Sequence, residues 1–197
     1  MKIYDISQEV FSCVVFPGDP VPKRKRIMST ENGDVCNLTE LSMCAHNGTH
    51  IDAPYHFLND GKRVDELDLS RLVGYAYVTE QSGIITSKMA LEILDKANSV
   101  SAEASKRILI KGKATVSDEA AATFANNGIY LLGNESQTVG DENAPMKAHL
   151  ALLGKEVILL EGIRLAGVKE GVYLLNAAPI NLGGCDGAPT RAILIEI

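Results

Sequence analysis

At 197 residues, with 46% hydrophobic and 22% charged side chains, the chain has ordinary globular composition and the length of one domain spanning residues 1–197. Its net charge of −6 argues against nucleic acid as a partner, and the one basic run, Lys23-Arg24-Lys25-Arg26, reads as a solvated loop or strand edge. No apolar stretch approaches the ~20 residues that cross a bilayer, and the N-terminus lacks the pattern of a secretory signal. Four scattered cysteines without a C-x-x-C pair point to free thiols in a reducing, cytoplasmic setting.

Strand-like runs rich in Val, Ile and Leu, bounded by Gly, Asn and Pro, recur along the chain. The first is 2–6 and the second 75–79. A helix is expected over 87–98, opening at a possible cap on Ser87, followed by a strand at 107–110. A second helix over 117–127 starts at Ser117 and stops before Gly128, a natural left-handed terminus. A strand at 129–132 precedes a short helix over 145–153, with Pro145 in its first turn and Gly154 ending it. Strands at 157–160, 172–175 and 192–197 complete the series. Several runs are continuously apolar, as in strands buried on both faces. The class is mixed α/β.

Three of the four histidines fall within one eleven-residue segment, His46-Asn-Gly-Thr-His50-Ile-Asp52-Ala-Pro54-Tyr-His56, and the fourth is His149. Imidazole and carboxylate are preferred ligands of zinc and similar ions. Two imidazoles on one ion need their nitrogens within roughly 4 Å, whereas an extended 46–50 segment would hold those positions ~13 Å apart. A helix is disfavoured by Gly48, Thr49 and Ile51 and barred further on by Pro54. A bend at Gly48-Thr49 is the better solution. It places His46 and His50 on one ion, lets Asp52 reach the same ion and bridge to another, and leaves Pro54 to stiffen the exit and hold His56 close. The segment reads as a rigid metal loop.

The pattern His-x-Gly-Thr-His-x-Asp-x-Pro-x-His resembles the signature of the cyclase-like metal hydrolases, which include bacterial kynurenine formamidases (arylformamidases) and isatin hydrolases. The likeness extends to Ile3-Tyr4-Asp5-Ile6-Ser7, to Pro17-Gly18-Asp19-Pro20, to Ala53-Pro54-Tyr55-His56-Phe57 with Asp60-Gly61-Lys62, and to the stretch from Pro179 through Gly187-Ala188-Pro189-Thr190-Arg191. The resemblance implies that His46, His50 and Asp52 bind a first metal, with Asp52 bridging where two ions are held. It implies His56 as the catalytic histidine. It also implies His149 and Glu161 as the remaining ligands, and Glu161 at the end of an apolar strand is an odd place for a carboxylate without a partner. One stretch departs from the family pattern Gly-Ile-Asp-x-x-Ser-Val: here Gly133-Asn134-Glu135-Ser136-Gln137-Thr138-Val139 puts Glu135 and Thr138 at the aspartate and serine positions, as possible substrate or second-layer contacts.

No Gly-x-Ser-x-Gly elbow supports a serine triad. Cys44 reads as a buried thiol, with a soft ligand as the alternative, and Gly183-Gly184-Cys185-Asp186-Gly187 as a tight turn near the substrate pocket. The resemblance implies a swivelling β/β/α-type domain, a homodimer or higher homo-oligomer, and one or two divalent ions per chain, zinc or manganese. The expected activity is hydrolysis of a small amide C–N bond through metal-activated hydroxide, with an aryl formamide such as N-formylkynurenine as the small-molecule substrate. Alternatives are a cyclic amide such as isatin, another small amide or ester, or a non-catalytic metal- or ligand-binding member. The absence of Trp and an aromatic content of 5% weigh against a strongly stacked pocket.

Overall fold

The computed structural model describes residues 1–196. In chain order its elements are β1 (Lys2–Asp5), β2 (Lys23–Met28), β3 (Leu38–Ser42), β4 (His50–Asp52), β5 (Val73–Glu80), β6 (Gly83–Ile85), α1 (Ser87–Val100), β7 (Arg107–Lys111), β8 (Ala114–Val116), α2 (Asp118–Asn126), β9 (Leu131–Asn134), α3 (Met146–Leu153), β10 (Ile158–Glu161), β11 (Gly171–Asn176), β12 (Gly187–Pro189) and β13 (Ile193–Glu196). The apolar runs read from the sequence all become strands, with shifted ends; position 197, at the end of the last expected strand, lies outside the described residues.

Nine strands form one mixed sheet in the order β1-β13-β11-β5-β7-β9-β10-β4-β12. Its centre, β5 through β10, is parallel, and parallel neighbours need crossovers, which α1, α2 and α3 supply. Apolar runs buried on both faces make this possible. On β7, Ile108 and Ile110 pack in the core shared with the helices, while Leu109 joins a second core on the other face; Leu159 and Leu160 divide the same way on β10. The class is mixed α/β, as expected.

Helix caps follow local chemistry. Ser117 caps α2 by accepting the Ala120 amide, and Asp118 and Glu119 sit favourably in its first turn. The cap of α1 is Thr86 rather than Ser87: Thr86 keeps an extended backbone and accepts the Met89 amide at 3.3 Å, whereas Ser87 is already helical and pairs with Thr123 at 2.7 Å. Pro145 stands at the cap position of α3, just ahead of its first turn.

The basic run expected to be a solvated loop or strand edge is β2. It pairs with β3 in a separate two-stranded hairpin whose strand residues, except Met28, are exposed.

Candidate metal centre

The segment read as a loop resolves into a turn, a strand and a second turn. Gly48 takes φ 71°, the left-handed region that a side chain resists, and swings the chain into β4. Thr49 pins this bend, since its hydroxyl donates to Gly162 O at 2.8 Å and accepts from Gln8 N at 2.9 Å. Within β4 the period of two puts His50 and Asp52 on one face and sends Ile51, fully buried, into the opposite core.

Both neighbours of β4 complete the arrangement. Along β10, Glu161 lies directly opposite His50, so their side chains share that face. Along β12, Gly187 lies opposite Asp52, and the missing side chain leaves room for the His46 ring: a Cβ there would sit 2.5 Å from His46 Cε1. His149 arrives from α3. Pro54 opens a short 3-10 turn, Pro54–His56, that carries His56 back towards the same place.

The donor atoms converge. His50 Nε2 lies 3.4 Å from Asp52 Oδ1 and 3.6 Å from Glu161 Oε2, while His149 Nε2 lies 3.6 Å from Asp52 Oδ2 and 3.4 Å from Glu161 Oε1. These separations are long for hydrogen bonds. They match the edge of a tetrahedron of ligands, roughly 3.3–3.4 Å for bonds of about 2.0–2.1 Å. Three donor sets lie here, His46–His50–Asp52, Asp52–His149–Glu161 and His46–His56–Asp186, and Asp52 belongs to the first two. Asp52 Oδ2 is buried without a hydrogen-bond partner, which a cation would remedy. Backbone carbonyls fix the ring orientations: His50 Nδ1 donates to Gly48 O at 3.1 Å and His149 Nδ1 to Pro145 O at 2.8 Å, which leaves each Nε2 free as a ligand. The residues present fit a divalent metal.

Without a cation, protons do the neutralising. Burial by itself would lower the His46 imidazole, but its hydrogen bonds to Asp186 and Asp52, both 2.8 Å, outweigh that and push it up to about 11. His50 is likewise lowered by burial but raised more by Asp52 and Glu161, to about 9. His149 is raised for similar reasons, burial being outweighed by Glu161 and Asp52. Burial opposes the charged form of Asp52, yet His46 and His50 hold it well below the usual carboxylate range. His56 is different: burial lowers its pKa and its neighbours do not restore it.

Asp186, which the sequence presents only as part of a glycine-rich turn, proves to be a member of the site. Its Oδ2 accepts from His46 Nε2 at 2.8 Å and from His56 Nδ1 at 3.1 Å. The His56 ring also stacks on His46, with centroids 4.1 Å apart.

A cavity of about 250 Å³ opens over the cluster, lined by His46, His50, His56, His149 and Glu161 at the donors and by Phe16, Phe57 and Pro145 as apolar wall. Thr138 lines it too, buried, with a hydroxyl that has no partner. Glu135, expected as a possible substrate or second-layer contact, is not among the residues lining this cavity. Its carboxylate is spent on backbone amides, accepting from Gly112 N at 2.6 Å and Leu165 N at 2.8 Å, and it borders a separate groove. Cys44 is half-buried, its Sγ 3.9 Å from Asp19 Oδ2, and belongs to none of the donor sets.

Known proteins share this framework. Residues 4–140 match the family described as "Putative cyclase". The chain is 33% identical to a kynurenine formamidase of Bacillus mycoides, over 98% of this chain and 97% of that one. It is 34% identical to a kynurenine formamidase of Geobacillus thermodenitrificans, with 96% and 95% covered. A solved structure described as a potential metal-dependent hydrolase with cyclase activity superposes with a TM-score of 0.82 at 28% identity, covering 98% and 96%. Isatin hydrolase A from Labrenzia aggregata superposes at 0.83 over 98% and 93%; at 20% identity this is a likeness of fold.

Proposed function

Because this chain belongs to the cyclase family, we propose that it is a metal-dependent amidohydrolase that cleaves the C–N bond of a small aryl formamide, with N-formylkynurenine the leading substrate. The observation that carries the reading is the pair of donor sets sharing Asp52 beneath a cavity that also holds His56. Nearly full-length relatives bearing the name kynurenine formamidase support the choice of substrate.

His46, His50, Asp52, His149 and Glu161 would hold one or two divalent ions, and a nitrogen and oxygen donor set of this kind suits zinc, with manganese also accommodated. A divalent ion there supplies Lewis acidity towards a carbonyl oxygen and makes water more acidic. His56 handles the proton. Asp186 engages its Nδ1, and the lowered pKa keeps the ring neutral near pH 7, able to take a proton from the attacking water. The same ring returns that proton to the departing aryl nitrogen, so formate and an aromatic amine leave. Phe16, Phe57 and Pro145 receive the aryl group and exclude water from the reacting carbonyl.

The same reading takes the protein as a cytoplasmic homodimer or higher homo-oligomer. Four free cysteines support a reducing setting. Among the described residues, no helix is long and apolar enough to cross a membrane. A hairpin of β2 and β3 alone is marginal in water, which supports a second copy covering it.

The test is hydrolysis of N-formylkynurenine by metal-stripped protein and by protein reloaded with Zn²⁺ or Mn²⁺. Release of kynurenine should return with metal and be absent in His50→Ala. Silence with metal bound would remove this substrate and turn attention to isatin and other cyclic amides. Silence with no metal uptake would remove the metal centre itself.

A further inference from the structure

The cavity carries one acidic group that the metal centre does not use. Asp19 lines it next to Phe16, on the turn Pro17-Gly18-Asp19-Pro20. That turn is stiff: Asp19 N donates to Phe16 O at 3.0 Å, Gly18 takes φ 100°, and prolines flank the pair. The carboxylate is half-buried, and among the described residues its side chain accepts only from the Cys44 thiol, a weak donor with Sγ 3.9 Å away. No Lys or Arg lines the cavity, and the other carboxylate there, Glu161, is engaged by His50, His149 and the Val139 amide. A fixed, partly desolvated carboxylate beside an apolar wall, without a cation of its own, is a receptor for one.

We propose that Asp19 is a specificity-determining residue that receives an ammonium group carried by the substrate away from its scissile amide. The inference rests on the aryl-amide reading above and adds a residue's role to it: an ammonium, such as the one N-formylkynurenine carries on its side chain, is favoured at this position over a neutral group. A charge-assisted hydrogen bond of this kind corresponds to a preference of roughly 10- to 100-fold.

The experiment uses metal-loaded protein, wild type and Asp19→Asn, with two aryl formamides of matched shape. One bears an aminoalkyl chain on the ring and the other the corresponding hydroxyalkyl chain. Their kcat/KM values are compared, and calorimetry gives Kd for a phenylalkylamine and its phenylalkanol counterpart, which need no turnover. Wild type should prefer the amine about tenfold or more in both measurements, and the ratio should fall to near one in Asp19→Asn. Asp19→Ser provides a second, smaller replacement with the same expected loss. Equal handling of amine and alcohol by wild type would overturn the proposal, as would a preference that survives both substitutions. Asp19-dependent selectivity in binding with neither formamide cleaved would leave the charge inference standing and remove the aryl-formamide reading.

Discussion

Gly187→Ala is the substitution through which the packing of the centre is best interrogated. Gly187 needs no unusual backbone angle; it needs the absence of a side chain. An added Cβ would lie 2.5 Å from His46 Cε1, 3.0 Å from His46 Nε2 and 2.8 Å from Ile51 O. Ordinary contact between carbons is about 3.5–4.0 Å, so the His46 ring must retreat by roughly 1 Å. The Ile51 carbonyl cannot share the adjustment, because β4 is held between β10 and β12. Overpacking of this kind costs about 1–3 kcal/mol. A 1 Å displacement also exceeds the ~0.2 Å tolerance of a metal–ligand distance. It breaks the contacts of His46 with Asp52 and Asp186 as well. Outer-layer losses alone cost 10- to 100-fold in affinity, so metal affinity should fall by roughly 100-fold or more. Competition with a chromophoric chelator measures the affinity, and thermal unfolding of metal-free protein isolates the packing cost. Wild-type affinity in a folded Gly187→Ala protein would refute the placement of His46 against β12.

Other substitutions and conditions separate the remaining roles. His56→Ala should lower turnover by about 10²- to 10⁴-fold while retaining bound metal; metal lost in step with activity would make His56 a ligand instead. Metal uptake near pH 7 should release protons, because His46 and His50 are held protonated up to about 11 and about 9 in the metal-free centre. Calorimetry in buffers of different ionisation enthalpy would show the release, and buffer-independent heats would speak against it. Those raised pKa values also favour the metal-free fold: the contribution is full below an unfolded-state pKa of about 6.5 and is lost as pH climbs through about 9 for His50 and about 11 for His46. Chelated protein should therefore lose Tm over that window relative to metal-loaded protein, and parallel curves would contradict the protonated cluster. Glu135→Ala should destabilise the fold by about 1–3 kcal/mol by orphaning two amides and leave kcat/KM unchanged; a selective loss of kcat/KM would restore Glu135 to the substrate.

The central apolar strands β7, β9 and β10 were legible because burial on both faces leaves a run rich in Ile and Leu that needs no tertiary knowledge. The strand β4 was not, since its three residues, two of them polar, become a strand only by pairing with β10 and β12, far along the chain. Its conversion from loop to strand nevertheless explains why His50 and Asp52 share a face, which spacing alone left to a bend. Glu161 was conspicuous as a charge closing an apolar run, and its place opposite His50 gives that oddity a reason. Asp186 had only a glycine-rich turn to mark it, and its contact with His46 and His56 arises from the same long-range pairing. The motif position of Glu135 did not disclose where its side chain points. At the end of β9 its carboxylate turns to the amides of Gly112 and Leu165.

Turnover is expected to depend on an ion that the shared donors around Asp52 would hold. Bound metal and kcat, measured on the same samples while stripped protein is titrated with Zn²⁺, test it most directly. Turnover should rise in proportion to bound metal, saturate at one or two equivalents, and vanish together with the metal in Asp52→Asn. Undiminished hydrolysis by protein carrying no metal, or full metal binding by Asp52→Asn, would rule out a metal held through Asp52 as the source of turnover.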